Sequence, residues 1–121
     1  MTRMISVGLI GCGKIAEIAH MPAYQVIKKA QLVAVADSNL ERVKWLANRF
    51  GVKSYYSDPM EIIERKDIEA IDICLPAFLH SKYILAAASK GKHVFCEKPM
   101  ALNVNEAEVI IQKIKEECKN P

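Results

Sequence analysis

Hydrophobic positions along this 121-residue chain alternate between two rhythms. Short segments of strand length occur at Ile5–Ile10, Leu32–Ala36, Val52–Tyr56, Ala70–Leu75 and His93–Cys96. Between them, apolar residues recur at three- and four-residue spacing. Leu40, Val43, Leu46 and Ala47 predict a helix over Asn39–Phe50, capped by Ser38 or Asn39 and stopped by Gly51. A first helix is expected to begin near Lys14. Ser57-Asp58-Pro59 opens another that runs through Ile62 and Ile63. His80–Lys90 reads as a helix with Ile84, Leu85 and Ala88 inward and Gly91 as its stop. Asn103–Cys118 reads as the last, with Asn103 as cap and Val109, Ile110 and Ile114 inward.

Strands and helices alternating at this spacing predict an α/β fold with a parallel sheet covered on both faces. Right-handed crossovers then give a Rossmann-type doubly wound sheet of order 3-2-1-4-5. In that order the chain leaves neighbouring strands after residues 10, 75 and 96, at the switch point where open α/β sheets bind ligands. The length suits one domain, residues 1–121.

The first of these exits carries the chemistry. Gly11-Cys12-Gly13-Lys14-Ile15-Ala16 follows a strand and opens a helix whose first amides lack intrahelical acceptors, so it predicts an anion site. Gly11 permits the sharp turn, Gly13 has no Cβ to block a pyrophosphate, and Ala16 lets the helix lie close on the strand. Asp37 closes the second strand about 20 residues on, where an acid meets the adenosine ribose hydroxyls. Strand, turn, helix, strand and acid together specify a dinucleotide. S-adenosylmethionine chemistry uses a similar loop, but it usually places an acid in the first strand, where this chain has Val7, Gly8, Leu9 and Ile10.

Composition narrows the setting. Hydrophobic residues make up 51% and charged residues 26%, the balance of an ordinary globular protein. A net charge of +3 with dispersed lysines points away from nucleic acid. No apolar run is long enough to span a membrane and no leader pattern opens the chain, so a cytoplasmic protein without a membrane partner is expected. Cys12, Cys74, Cys96 and Cys118 form no CxxC pair and show no metal spacing with His20, His80 or His93; reduced thiols and no metal are expected.

Three further segments sharpen the reading. Gly11 to Ala16 with His20 and Pro22, Leu75-Pro76 followed by His80, and Gly91-Lys92-His93-Val94-Phe95-Cys96-Glu97-Lys98-Pro99 together resemble the N-terminal domain of the glucose-fructose oxidoreductase, inositol dehydrogenase and MocA family. The resemblance runs from about Ile5 to the final helix. It implies an NAD(P)-dependent oxidoreductase acting on a hydroxyl or carbonyl of a sugar, cyclitol or similar small molecule. By the same resemblance, Gly11, Gly13, Lys14 and Ile15 meet the pyrophosphate and Asp37 the adenosine ribose. Leu75, Pro76 and His80 serve the centre and nicotinamide side, and Glu97 and Lys98 lie beside the nicotinamide. The family commonly has Thr-Pro-Asn where this chain has Leu75-Pro76-Ala77, so contacts from those two side chains do not carry over.

Lys98 is the expected catalytic residue. An alcohol that loses hydride must also lose its hydroxyl proton, and a lysine beside a cationic ring in a dry cleft is pushed toward the neutral amine that can take it. The Lys98-Pro99 bond is a candidate cis peptide. His80 has a rival reading as a residue that satisfies a backbone group. His20, His93, Trp45, Tyr55 and Tyr56 read as structural. NAD is favoured because Asp37 would repel a 2′-phosphate; Arg42, one helical turn on, keeps NADP open. Relatives carry a second, mostly β, substrate domain that is absent from this chain, so the chain reads as the cofactor half of a parent enzyme and inactive alone. The fifth strand would then lie near a sheet edge, from which a homo-oligomer is expected. A stand-alone dinucleotide sensor is the alternative, and it would need no lysine at position 98.

Overall fold

The structure, a computed structural model, describes residues 4–96 and 103–119. At its centre lies β1 (Ile5–Ile10), a strand apolar on both faces because helices cover the sheet from both sides. On one side of it lie β2 (Ala30–Ala36) and then β3 (Ser54–Tyr56). On the other lie β4 (Ala70–Ile73) and β5 (His93–Cys96). All pairs are parallel, and the order β3-β2-β1-β4-β5 is the doubly wound Rossmann order that the sequence predicts.

Alternate residues of the sheet enter two separate cores. Leu9 packs with Ala16, Met21, Val35, Val43 and Leu46 beneath α1 (Met21–Val26) and α2 (Leu40–Phe50). Ile10 joins Ile62, Ile71, Ile84 and Ile110 beneath α3 (Pro59–Ile63), α4 (His80–Ser89) and α5 (Val104–Lys119). At Gly8 the second layer presses on the strand itself, since a Cβ there would stand 2.3 Å from Cγ2 of Ile62.

Register aligns the exits. Ile10 pairs with Ala36 on one side and with Ile73 on the other, and Ile73 pairs with Cys96. The amide of Gly11 donates to the Ala36 carbonyl and that of Cys74 to the Ile10 carbonyl, each at 2.8 Å. The loops after β1, β2 and β4 therefore start level and side by side.

The helix after Gly13 is not uniform. It takes a π turn over Ala16–His20, closed by the amide of Met21 on the Ala16 carbonyl, before α1 begins. Pro22 supplies the reason: its ring has no amide and crowds the carbonyl four residues back, so the chain widens ahead of it. Elsewhere the capping residues act as expected. Asn39 accepts from the amide of Arg42, Asp58 from that of Met60 and Asn103 from that of Glu106.

Some boundaries differ from expectation. β3 starts at Ser54 rather than Val52, because the Val52 amide turns back to the Ala47 carbonyl to close α2. β4 ends at Ile73 rather than Leu75, three residues before Pro76. In α5 only Ile110 is buried among the three residues expected inward, with Val109 55% and Ile114 43% exposed. Trp45 lies half exposed between the guanidinium groups of Arg42 and Arg49, at 5.6 and 5.3 Å. Among the described residues no helix is long and apolar enough to cross a membrane.

Candidate functional site

The turn after β1 can be built in one way. Gly11 has φ +95°, a left-handed backbone, and a Cβ on it would lie 2.6 to 2.8 Å from the backbone of Cys74 and Leu75. Both conformation and the neighbouring strand end therefore exclude a side chain. Gly13 is different: a Cβ there would meet nothing within 4 Å. It borders open space at the mouth of the helix, whose first bond from Glu17 to the Gly13 carbonyl leaves the amides of Lys14, Ile15 and Ala16 without acceptors in the helix. Gly13, Lys14 and Ile15 are exposed there, while Ala16 is buried against the sheet. An open cradle of backbone amides at a helix start suits the charge and bulk of a pyrophosphate.

Asp37 ties this turn to the next strand. Its Oδ2 accepts from the amide of Cys12 at 2.7 Å, and its Oδ1 from the amide of Asn39 at 2.8 Å. The carboxylate is thus fixed in direction, and each oxygen keeps a second lone pair for a hydroxyl. Beside it, the Cys12 thiol bonds weakly to the Ala36 carbonyl at 3.7 Å. Burial, reinforced by the Asp37 charge, pushes that thiol up to about 12, so it is a neutral packing group.

Leu75 and Pro76 follow β4 directly and lead into a 3₁₀ turn over Ala77–Leu79. His80, 1% exposed at the head of α4, places Nε2 2.6 Å from the Leu75 carbonyl. It holds the shape of this loop, in keeping with the backbone-satisfying reading of that histidine. Gly11, Asp37 and the Leu75–His80 loop thus meet at the same end of the sheet. Glu97, Lys98 and the Lys98-Pro99 bond lie outside the described residues.

Two groupings were not anticipated. Arg42 reaches back from α2, donating through Nε to the Cys12 carbonyl at 3.0 Å and through Nη2 to Glu17 Oε1 at 2.6 Å. Arg49 donates to the other oxygen of Glu17 at 3.1 Å. These arginines hold the Glu17 carboxyl below the usual carboxylate range, chiefly through the Arg42 hydrogen bond. The second grouping surrounds Asp72, 1% exposed in the middle of β4. Its Oδ2 lies 2.8 Å from His20 Nδ1 and accepts from the Tyr24 hydroxyl at 2.8 Å, while Cys74 Sγ lies 3.6 Å from Oδ1. Candidate ligand atoms of His20, Asp72 and Cys74 lie within 4.8 Å of one another although no metal spacing joins them in sequence. The hydrogen bonds already satisfy the buried carboxylate within the chain. Its sequence signal was a charge inside an apolar strand, which must find partners.

Comparison with known proteins supports the fold and places the chain in a family. The family described as "Oxidoreductase family, NAD-binding Rossmann fold" matches residues 5–120. A myo-inositol 2-dehydrogenase of Thermotoga maritima is 36% identical over 109 residues, covering 90% of this chain and 32% of that protein. A glucose-6-phosphate 3-dehydrogenase of Bacillus subtilis is 39% identical over 107 residues, covering 88% and 29%. A crystal structure of a 3-ketoreductase from Actinomadura kijaniata in complex with TDP-benzene and NADP superposes with a TM-score of 0.88 at 33% identity, covering 95% of this chain and 36% of that one. The chain spans about a third of the length of these relatives. With its Rossmann order, glycine turn and strand-end acid, the chain belongs to the glucose-fructose oxidoreductase, inositol dehydrogenase and MocA family, as its NAD-binding domain.

Proposed function

We propose that this domain serves an NAD(P)-dependent dehydrogenase that acts on a hydroxyl or carbonyl of a sugar, cyclitol or similar small molecule, with NAD preferred. The observation that carries the reading is the Asp37 carboxylate, fixed at the end of β2 by two backbone amides beside an open glycine turn. A carboxylate in that place accepts ribose hydroxyls and repels a 2′-phosphate. When bound, the nicotinamide supplies the site that gives or takes hydride.

The chain's own residues hold and aim the coenzyme. Amides of Lys14 and Ile15 receive the pyrophosphate, and Leu75 and Pro76, braced by His80, line the path toward the nicotinamide. Glu97 and Lys98 complete that end, and Lys98 carries the proton of the substrate hydroxyl. The substrate pocket draws on groups beyond this sheet. β5, an edge strand among the described residues, supports association with a second copy.

Titration with NADH, NADPH and S-adenosylmethionine tests the binding step. Saturable uptake of NADH, weaker uptake of NADPH and none of S-adenosylmethionine is expected; no saturable uptake of either nicotinamide coenzyme overturns the reading. Lys98→Ala in the whole protein is expected to slow hydride transfer by roughly 10²–10⁴-fold while NADH binding survives. Unchanged turnover removes Lys98 from the chemistry. Sedimentation across concentrations checks self-association, and a monomer throughout excludes it.

A further inference from the structure

We infer that Glu17, a residue with no role in the glycine motif, sets the choice between NADH and NADPH by occupying the guanidinium of Arg42. The inference rests on the dinucleotide reading above and deepens it.

A 2′-phosphate needs a cation close to the Asp37 end of the loop, because Asp37 itself offers only negative charge. Arg42 is in the right neighbourhood. It follows Asp37 by one turn of backbone, and the two residues grip the same loop residue: Asp37 holds the Cys12 amide and Arg42 the Cys12 carbonyl. Its planar fork, however, is already engaged. Nε is spent on Cys12 and Nη2 on Glu17, at 3.0 and 2.6 Å. Phosphate recognition by arginine depends on presenting that same fork to the anion.

Glu17 does more than pair once. Its second oxygen accepts from Arg49, and the Trp45 ring lies against both guanidinium groups. One carboxylate therefore bridges two cations and keeps both on the side of α2 that faces the first helix. The Glu17 side chain is only 22% exposed, so this pairing is sheltered more than an ordinary surface ion pair. Removing the carboxylate leaves both arginines without their shared counter-charge beside the ribose site. A 2′-phosphate then becomes the natural partner of Arg42. The pyrophosphate is common to both coenzymes, so any general gain in anion affinity cancels in the ratio of their dissociation constants.

The experiment measures that ratio for the chain and three variants by titration with NADH and NADPH. For Glu17→Gln the ratio of NADPH to NADH dissociation constants is expected to fall about tenfold, with the shift shrinking at high salt. Adding Arg42→Ala to that variant is expected to return the ratio toward its original value. Arg49→Gln, which alters an exposed side chain and leaves Glu17 wholly to Arg42, is expected to move the ratio the other way, and it remains informative if Glu17→Gln folds poorly. A ratio that stays within twofold in Glu17→Gln, or in Arg49→Gln where the first variant does not fold, overturns the inference. If the unaltered chain takes up neither coenzyme, the dinucleotide reading fails and this inference falls with it; NADH uptake with an unmoved ratio overturns only the role of Glu17.

Discussion

The amide of Cys12 donates to Oδ2 of Asp37 at 2.7 Å, linking the glycine turn to the end of the neighbouring strand across 25 residues of sequence. One carboxylate therefore shapes the turn and presents an acceptor beside it. Asp37→Asn keeps an oxygen that can face Cys12 but loses the charge, so the fold should persist while NADH affinity falls roughly ten- to a hundredfold. NADPH should lose less, because repulsion of its 2′-phosphate is relieved. Asp37→Ala should also lower the melting temperature, since the Cys12 amide loses its acceptor. Calorimetric titration and thermal melts of both variants check this, and equal affinities for all three chains would refute it.

The glycines separate stability from binding. Gly11→Ala meets rigid backbone at 2.6 Å and an unfavourable φ, so a loss of roughly 3 kcal/mol or more is expected. Gly8→Ala meets a side chain, Ile62, which can yield, and should cost about 1–3 kcal/mol. Gly13→Ala meets nothing, so its stability should change by no more than about 0.5 kcal/mol while coenzyme affinity drops. Denaturant unfolding beside NADH titration distinguishes the three. A Gly13→Ala chain that binds as before would show that the pyrophosphate lies elsewhere.

Asp72 anchors the first helix to β4 through His20 and Tyr24. Asp72→Ala removes the carboxylate that His20 and Tyr24 share at a largely buried position and should destabilise the fold by roughly 3 kcal/mol. Asp72→Asn, which keeps an acceptor, should cost less. Burial, with the Asp72 charge and hydrogen bond adding to it, holds the Tyr24 hydroxyl far above the ordinary tyrosine range. Spectroscopic titration should therefore find Tyr24 un-ionised until the chain unfolds in alkali, and ionisation at the ordinary tyrosine pH in the folded chain would contradict the network.

Acid should weaken the fold through two arginine-bound carboxylates. Hydrogen bonds from Arg42 and Arg65 lower the folded-state pKa of Glu17 and Asp67, so in acid the unfolded chain binds more protons than the folded one. Their contribution is present above the unfolded carboxylate values and is lost as pH falls through the lower, folded ones. Both groups face solvent enough for salt to reduce the effect. Melting temperatures from neutral to acid pH should fall less steeply for Glu17→Gln and Asp67→Asn, and less steeply still at high salt. Parallel curves for variants and parent would exclude these groups.

Much of this architecture is legible in the linear pattern because sheet order depends on alternation and handedness, which short apolar segments and glycine stops record. The glycine turn and the acid beside it were legible for the same reason: Gly11, Gly13 and Asp37 sit at strand exits whose positions the alternation fixes. The clasp of Glu17 on Arg42 was not. It joins a helix and a neighbouring helix across 25 residues, and surface charges carry no period that names their partners. His20 and Tyr24 stand four apart and Asp72 interrupts an apolar strand, yet only the fold shows that they answer one another. In α5 a 3.6-residue repeat marked Val109 and Ile114 as inward, although both are exposed. Periodicity records that a stripe exists, and says nothing of whether another layer lies against it.

The wide turn at Ala16–His20 has a consequence for how length can vary in this domain. A helix that advances by five residues where four would do holds one surplus residue, and everything after it is rotated relative to everything before. Losing a single residue there would turn the wide loop into ordinary helix and leave the exposed end at Gly13–Ile15 and the sheet-facing end each in its own frame. Losing one between His20 and Tyr24 would instead swing one of those two side chains out of reach of β4. Tolerance to shortening is therefore concentrated in that one turn.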